Sequence, residues 1–361
     1  MAGFSVNVAG LQGMHAQMLR AGDDAGAIRA HLLASDGGAF SGALVTIKGR
    51  FEDVLHAQVN EAIDAQQAAY TVGDEIGNSR DYYQNTDQTQ MANFDAKLPG
   101  SPNPPNFEFS DEASDALAQP YADVNKPQGR LTDPPSYEEE MSWKPKLQSD
   151  LGNVVPFVRG VIRTVIGVDP LDALEKFAMG NWAEVRRIAD RFNNAAWAFR
   201  DCADNIEHCS NSSESDWTGN AADGARGYMG SLATGFYGEY DKNEFLYEQL
   251  KDLAEGVFET ANALVDTASD WINNRLLPAI ASVGVAGASE EIPVWDFLAD
   301  GYAGWKAFEA IKEGYEVYEK ANSINTMIEA CGGALAVAQN GSLNMPSPVA
   351  SLPSQLYSSP V

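Results

Sequence analysis

The chain carries three thiol groups, those of Cys202, Cys209 and Cys331. Cys202 and Cys209 are seven residues apart, a rise of about 10 Å on a continuous helix, which is too far for a disulfide bond. A Cys202–Cys209 disulfide therefore requires the helix to end between them, and the serine-rich segment that follows permits this. The sequence leaves two alternatives open, this disulfide or two buried thiols. With so few cysteines, the chain is not a disulfide-rich scaffold.

The remaining reactive residues form no catalytic or metal-binding pattern. The four histidines are scattered, and neither H-E-x-x-H nor C-x-x-C spacing occurs. The chain also lacks a G-x-S-x-G nucleophile turn and a glycine-rich phosphate loop before a helix. We therefore expect no catalytic residues, no metal and no cofactor, and a protein that acts by binding. The histidines are His15, His31, His56 and His208.

A tyrosine is followed four residues later by an acidic residue at several places in the chain. Residues i and i+4 share one face of a helix, so the ring and the carboxylate can form one patch that a receptor recognises. In an acidic chain with 13 tyrosines this pattern alone has little specificity. The pairs are Tyr70/Asp74, Tyr83/Asp87, Tyr237/Asp241, Tyr240/Glu244 and Tyr315/Glu319.

Helical spacing of apolar residues dominates the chain and predicts an all-α fold. One helix is expected from about Val6 to Ala34, and the next carries an apolar stripe from Leu44 to Tyr70. A second pair follows, with stripes over Val185–Ile206 and Met229–Ile272. Because an apolar stripe must be covered, each pair is expected to pack as an antiparallel hairpin.

Each helix pair turns at an aromatic-x-Gly tripeptide. Phe40 and Gly42 belong to the first turn, and Trp217 and Gly219 to the second. Glycine permits a tight reversal where a side chain would clash. The aromatic ring can cover the end of the two-helix interface.

The second turn has a more specific sequence, W-T-G-N-A-A at 217–222. Between two long helices it resembles the W-x-G-x-A-A form of the WXG family of type VII (ESX) secretion substrates. The N-terminal hairpin looks like a related actinobacterial substrate class, although Phe40 replaces the tryptophan. The resemblance covers about residues 1–98 and 170–275.

The resemblance also implies a secretion signal. In these substrates the hairpin is followed by Tyr-x-x-x-Asp/Glu and a run of small and polar residues. Tyr83 and Asp87 occupy that position and are the expected signal, with Tyr70 and Asp74 as the alternative. The secretion ATPase of the type VII system would recognise it.

The segments outside the two hairpins differ in composition. Ten prolines between residues 99 and 156 exclude a long helix and predict a solvated linker. An apolar, small-residue stretch and a further helix follow the second hairpin, either completing its core or contacting a partner or membrane. The expected divisions are a hairpin at 1–98, a linker at 99–156, a hairpin at 157–275, a helical extension at 276–340 and a disordered tail at 341–361.

Charge and hydropathy limit the partners. The formal net charge of -27 repels nucleic acid and anionic lipid. The most apolar stretch, Leu276–Ala288, is shorter than the roughly 20 residues that span a membrane. The first residues, Met1–Val6, lack the cationic start and apolar run of a signal peptide. We therefore expect no nucleic acid, and a membrane is not the favoured partner.

The function expected from these observations is that of a non-enzymatic substrate or effector of a type VII secretion system. It would be cytoplasmic before export and then secreted or surface-bound, and it would act through a helical protein partner or self-association. Two alternatives remain open: a secreted protein that perturbs or permeates membranes, and a cytosolic helical scaffold or secretion chaperone.

Overall fold

The described part of the protein is mostly helical, and the predicted all-α fold class is confirmed. The structure is a computed structural model. Within its described part, β-structure is limited to two short strands, β1 at Ser5–Val6 and β2 at Trp217–Thr218, which pair with each other. The described residues are 5–35, 38, 40–86, 90, 97, 121–139, 141, 156–172, 180–282 and 301–339. The predicted tail at 341–361 lies outside them.

The first two long helices are α1, Val8–Leu33, and α2, Val45–Asn85. The side chain of Asn7 accepts a hydrogen bond from the backbone N–H of Ala9 and so caps α1. Between the helices, Gly42 has a φ of 60°, a left-handed conformation that glycine adopts easily because it has no Cβ. The nearly fully buried residues of the two stripes include Leu11, Met14, Met18, Ile28, Leu32, Ile47, Phe51 and Val54.

A short helix, α3, spans Pro156–Ile166 and is followed by the second long pair. The helices of this pair are α4, Trp182–Ser212, and α5, Asn220–Asp270. The side chain of Asn181 caps α4 by accepting a hydrogen bond from a first-turn N–H. The fully buried residues of these stripes include Val185, Ile188, Phe192, Phe199, Ile206, Leu232, Phe236, Leu246 and Val257.

The four long helices share one core. α1 packs against α2 and α4, and α5 packs against α4 and α2. Asn7 is bonded to Asp216 and Gln17 to Asn205, so α1 and α4 run in opposite directions. The two aromatic-x-Gly turns therefore lie at opposite ends of a four-helix bundle. The apolar stripes cover one another within this bundle, so they do not by themselves require an external partner.

Part of the proline-rich segment is docked on the bundle. Residues 121–139, which we call the strap, contact α1 and α4 and include a 3-10 turn, Pro127–Arg130. The prolines exclude a long helix here, but side-chain bonds hold the strap in place, and the expected solvated linker is wrong over this stretch. The bonds join Arg20 to Asp123, Asn125 to Asp204, Gln128 to Asp24, Arg130 to Asp201, Arg191 to Asp133 and Tyr137 to Asp190.

α5 continues into further helical turns. A π-helical segment, Trp271–Leu276, leads into the short helix α6, Leu277–Ser282. The last described helix, α7, spans Gly301–Gln339 and packs against α2, α3, α5 and the π-helical segment. α7 therefore completes the core of the bundle, while the residues at 283–300 lie outside the described chain.

Trp271 fixes α7 to the bundle. Its indole N–H donates a hydrogen bond of 2.6 Å to the backbone oxygen of Ala310. Its ring lies where a side chain on Gly314 would stand, since a Cβ there would be 2.5 Å from the ring. α7 can approach this closely only because residue 314 is glycine.

Of the two alternatives for Cys202 and Cys209, the structure has the two buried thiols and not the disulfide. Both thiols are free and fully buried, and α4 continues past both residues to Ser212. The helix rise over seven residues, about 10 Å, keeps the two sulfur atoms beyond bonding distance. Burial also raises the pKa of both thiols, and it raises the pKa of Cys331 to about 12. The three thiols are therefore inert in the folded protein.

A thiol count tests this arrangement. Without reducing agent, we expect a thiol-reactive chromophore to label none of the three cysteines in the folded protein and all three in denaturant. A reducing agent should leave the melting temperature unchanged. A count below three in denaturant would reveal a disulfide and contradict the arrangement.

Substituting Gly314 tests how α7 docks. Gly314→Ala places a methyl group on the Trp271 ring and should lower the free energy of unfolding by about 1–3 kcal/mol. Gly333→Ala, on the exposed side of the same helix with no neighbour within 4 Å, should raise it by about 0.5–1 kcal/mol through helix propensity. Urea unfolding measures both. Equal effects of the two substitutions would mean that the Trp271 contact does not hold α7.

Candidate functional site

The turn between α4 and α5 is the candidate site. α4 ends at Ser212, a 3-10 turn spans Ser213–Ser215, and β2 leads directly into Gly219. Gly219 has a φ of 120°, which a residue with a Cβ adopts only with strain. This reversal aims the Trp217 ring inward, where 1% of its surface remains exposed.

Trp217 packs against Tyr83, near the end of α2. Their ring centroids are 6.0 Å apart with an interplanar angle of 73°, an edge-to-face arrangement favoured by aromatic pairs. Tyr83 is itself only 2% exposed. The structure thus brings together the turn residue of the second helix pair and the expected signal residue of the first. Asp87, the other expected signal residue, lies outside the described residues.

The N-terminal strand covers the turn from another side. β1 pairs with β2 antiparallel, with Ser5 opposite Thr218 and Val6 opposite Trp217. The backbone N–H and the hydroxyl of Ser5 both hydrogen-bond the Thr218 hydroxyl, at 2.9 and 2.8 Å. These bonds tie the beginning of the chain to residues more than 200 positions later.

Asp216 joins the surrounding elements. Its backbone oxygen accepts a hydrogen bond of 2.6 Å from the backbone N–H of Asn7, and one carboxylate oxygen accepts another from the Asn7 amide at 2.8 Å. Its other carboxylate oxygen accepts the Tyr121 hydroxyl at 2.7 Å. A Cβ on Gly10 would lie 2.5 Å from the Asp216 side chain. One side chain therefore contacts the N-terminus, α1 and the strap.

Tyr121 begins the strap in a constrained position. Its φ of 68° is unusual for a residue with a side chain. Its ring fills the space left by the missing side chain of Gly13, where a Cβ would be 2.5 Å away. Burial, followed by the bond to Asp216, raises the pKa of its hydroxyl, which therefore stays protonated and donates.

The site also contains a buried polar atom without a partner. The indole N–H of Trp217 has no hydrogen-bond acceptor among the described residues. Leaving such a donor unpaired costs about 1–3 kcal/mol. Arg226 fixes the backbone oxygen of the same residue with a hydrogen bond of 2.9 Å. The turn is therefore fixed by hydrogen bonds to its backbone, but one buried donor has no acceptor among the described residues.

The other aromatic-x-Gly turn lies at the opposite end of the bundle. Phe40 is 3% exposed and stacks on Phe51, with ring centroids 4.4 Å apart. Phe51 in turn meets Phe192 of α4 edge-on at 6.4 Å. Phe40 thus connects α2 to α4 at that end, and Gly42 provides the reversal that precedes α2.

The alternative tyrosine–acid pairs have different surroundings. Tyr70 donates its hydroxyl proton to Asp23 on α1 at 2.7 Å. Tyr237 bonds Asp204 at 2.6 Å, across to α4. The hydroxyl of Tyr240 bonds Glu244 at 2.8 Å, so this pair joins ring and carboxylate directly on one helix face.

Within the described ranges, no three or more histidine, cysteine or acidic side chains are arranged to hold a metal ion. The helices of that same part of the chain include none long and apolar enough to cross a bilayer. Comparison of the chain with protein-family models, curated proteins and solved structures finds no match.

Sequence reasoning missed three parts of the site. The sequence does not indicate that Asp216 joins the elements, it places Tyr121 in the predicted solvated linker, and it predicts no strand at Ser5–Val6. A strand of two residues leaves no periodic signal. Tyr121 and Asp216 are also common types for loops, so nothing in the local sequence indicates their bond.

Removing the Asp216 carboxylate tests its joining role. Asp216→Ala should lower the free energy of unfolding by about 2 kcal/mol, because it breaks bonds to two elements and leaves the Tyr121 hydroxyl with only its longer hydrogen bond of 3.4 Å to the Ser212 backbone oxygen. Amide exchange at residues 5–7 and 121–125 should accelerate in the variant. The exposed neighbour Glu214 provides the control, since Glu214→Ala should change neither quantity. Unchanged exchange at residues 5–7 in Asp216→Ala would contradict the role.

Proposed function

We propose that the protein is a non-enzymatic substrate or effector of a type VII (ESX) secretion system, exported as a folded bundle. It is cytoplasmic before export and secreted or surface-bound afterwards. The observation that carries this proposal is the contact between Trp217 and Tyr83. Residues from the two motifs that resemble type VII substrates come from different helix pairs and pack against each other at one end of the bundle.

The proposed recognition depends on this end of the bundle, not on one exposed ring. Tyr83 is buried, so its contribution is to fix the end of α2 against the Trp217 turn. The chain then continues toward Asp87, whose carboxylate would supply the charged part of the signal. In this proposal the secretion ATPase binds a folded surface, and unfolding of either helix pair removes it.

After export, the proposed action is binding to a helical protein or to a second copy. The exposed large aromatic residues within the described chain lie on α7, away from its contacts with the bundle. Tyr302 is 75% exposed, Trp305 59% and Tyr315 44%. Aromatic rings of this kind are enriched in protein interfaces. They supply apolar area that the bundle itself does not use.

Export from the host tests the proposal. The Asp87→Asn variant removes one charge and keeps the size of the side chain, so the fold should persist while the protein disappears from the culture filtrate. We expect export at least tenfold below wild type by quantitative immunoblot, with the same melting temperature. Asp74→Asn, an exposed position on α2, is the matched control and should be exported normally.

Two substitutions of Tyr83 distinguish the role of its ring contact from the role of its hydroxyl. Tyr83→Phe keeps the edge-to-face packing on Trp217 and should be exported like wild type, whereas Tyr83→Ala removes the packing and should be retained. Absence of the wild-type protein from the filtrate while a known substrate is exported would refute the proposal. Loss of export in Asp74→Asn alone would move the signal to Tyr70 and Asp74.

A further inference from the structure

A cluster of polar side chains, all buried except the partly exposed Glu61, lies in the interface between α2 and α5. It comprises Gln58 and Glu61 on α2 and Glu239, Lys242 and Asn243 on α5, and we call it the midline cluster. The Asn243 amide donates a hydrogen bond of 2.8 Å to the Gln58 oxygen across the interface. Glu239 and Asn243 are both 0% exposed. Neither the export proposal nor the packing of the core uses this cluster.

The charges of the midline cluster do not cancel. The Lys242 ammonium lies 2.8 Å from a Glu239 oxygen and 3.6 Å from a Glu61 oxygen. One ammonium thus faces two carboxylates, and Asp64 on α2 adds a further negative charge nearby. An ionised cluster therefore holds excess negative charge inside the protein, where charge is poorly solvated.

The hydrogen bonds of the cluster are also incomplete. One carboxylate oxygen of Glu239, one of Glu61 and the side-chain oxygen of Asn243 are buried with no hydrogen-bond donor among the described residues. All three atoms are acceptors, and an ionised carboxylate cannot donate. A proton on Glu239 removes one negative charge and converts one unpaired acceptor into a donor. Protonation of Glu239 therefore relieves both the excess negative charge and one of the unpaired acceptors.

We propose that Glu239 is a proton-operated latch between the two helix pairs. With its carboxyl protonated, the midline cluster holds α2 against α5. With the carboxylate ionised, the two helices separate locally around Gln58 and Asn243. The residues that set the switch are Lys242, which favours the ionised form, and Glu61 and Asp64, which oppose it.

The pH range of the latch follows from the same surroundings. Burial is the largest influence and raises the pKa of Glu239 to about 7, since the attraction of Lys242 only partly offsets it. In the unfolded chain the pKa is 4.5. The folded state therefore binds the proton more tightly, so the contribution of Glu239 to stability is complete below pH 4.5 and is lost as pH rises through about 7.

The test compares stability and amide exchange of the full chain between pH 5 and pH 8. For the wild type we expect the unfolding equilibrium constant to rise on the order of tenfold to 100-fold over this range. Glu239→Gln keeps the shape of the side chain without the ionisation and should remove most of that rise. A smaller slope should remain, because burial also raises the pKa of Asp24 to about 6.

The local form of the opening is read from hydrogen exchange, corrected for the intrinsic effect of pH. Amides of α2 and α5 around Gln58 and Asn243 should lose protection at pH 8 in the wild type and keep it in Glu239→Gln. Glu248→Gln, at an exposed position on α5, is the matched control and should behave as wild type. Identical pH dependence in wild type and Glu239→Gln would overturn the proposal.

A second variant keeps the test informative should Glu239→Gln fold poorly. Glu61→Gln removes one of the two carboxylates that face Lys242, so Glu239 should ionise more readily. The loss of stability should then occur at a lower pH than in wild type. An unchanged transition in Glu61→Gln, together with a Glu239 carboxyl that titrates below pH 5 by carbon NMR, would exclude the latch.

Discussion

Burial of the Trp217 ring is the constraint on which the arrangement of the bundle depends. A ring at the turn of two helices has one side against its own pair and one side toward solvent. Here the ring packs against Tyr83 at the end of α2, while β1 pairs with the backbone of the turn and Tyr121 of the strap bonds the adjacent Asp216. Three segments that are distant in sequence therefore meet around this turn. At the opposite end of the bundle, the rings of Phe40, Phe51 and Phe192 pack against one another in a similar way.

The interior combines tight packing with unfavourable polar groups. Glycines permit close approach at Gly10, Gly13 and Gly314, where a methyl group would collide with a neighbouring side chain. The same interior contains an unpaired indole N–H and carboxylates whose pKa values burial raises. A core built for stability alone would exclude these groups. The indole N–H lies at the turn, Glu239 lies at the α2–α5 interface, and Asp24 lies on α1 beside the strap. Each of these is a place where segments distant in sequence meet.

Much of the helical structure could be predicted from the sequence, and the contacts between distant parts could not. The spacing of Val185, Ile188 and Phe192 identifies a buried face, because local periodicity records which side of a helix is apolar. The sequence also singles out Trp217 and Tyr83, but their contact depends on how two helix pairs dock. The strap shows most clearly which contacts the sequence does not predict. Its prolines exclude a helix but do not indicate that Arg130 meets Asp201 or that Tyr121 meets Asp216.

The pairing of β1 with β2 imposes an order on how the chain reaches its final state. Ser5 and Val6 leave the ribosome well before their partners Thr218 and Trp217, which are made more than 200 residues later. Contacts between residues so distant in sequence slow folding, because a long loop must close before they form. During that interval the apolar face of α1 that later meets α4 is exposed and open to aggregation. Synthesis of the second helix pair thus ends a vulnerable period for the first.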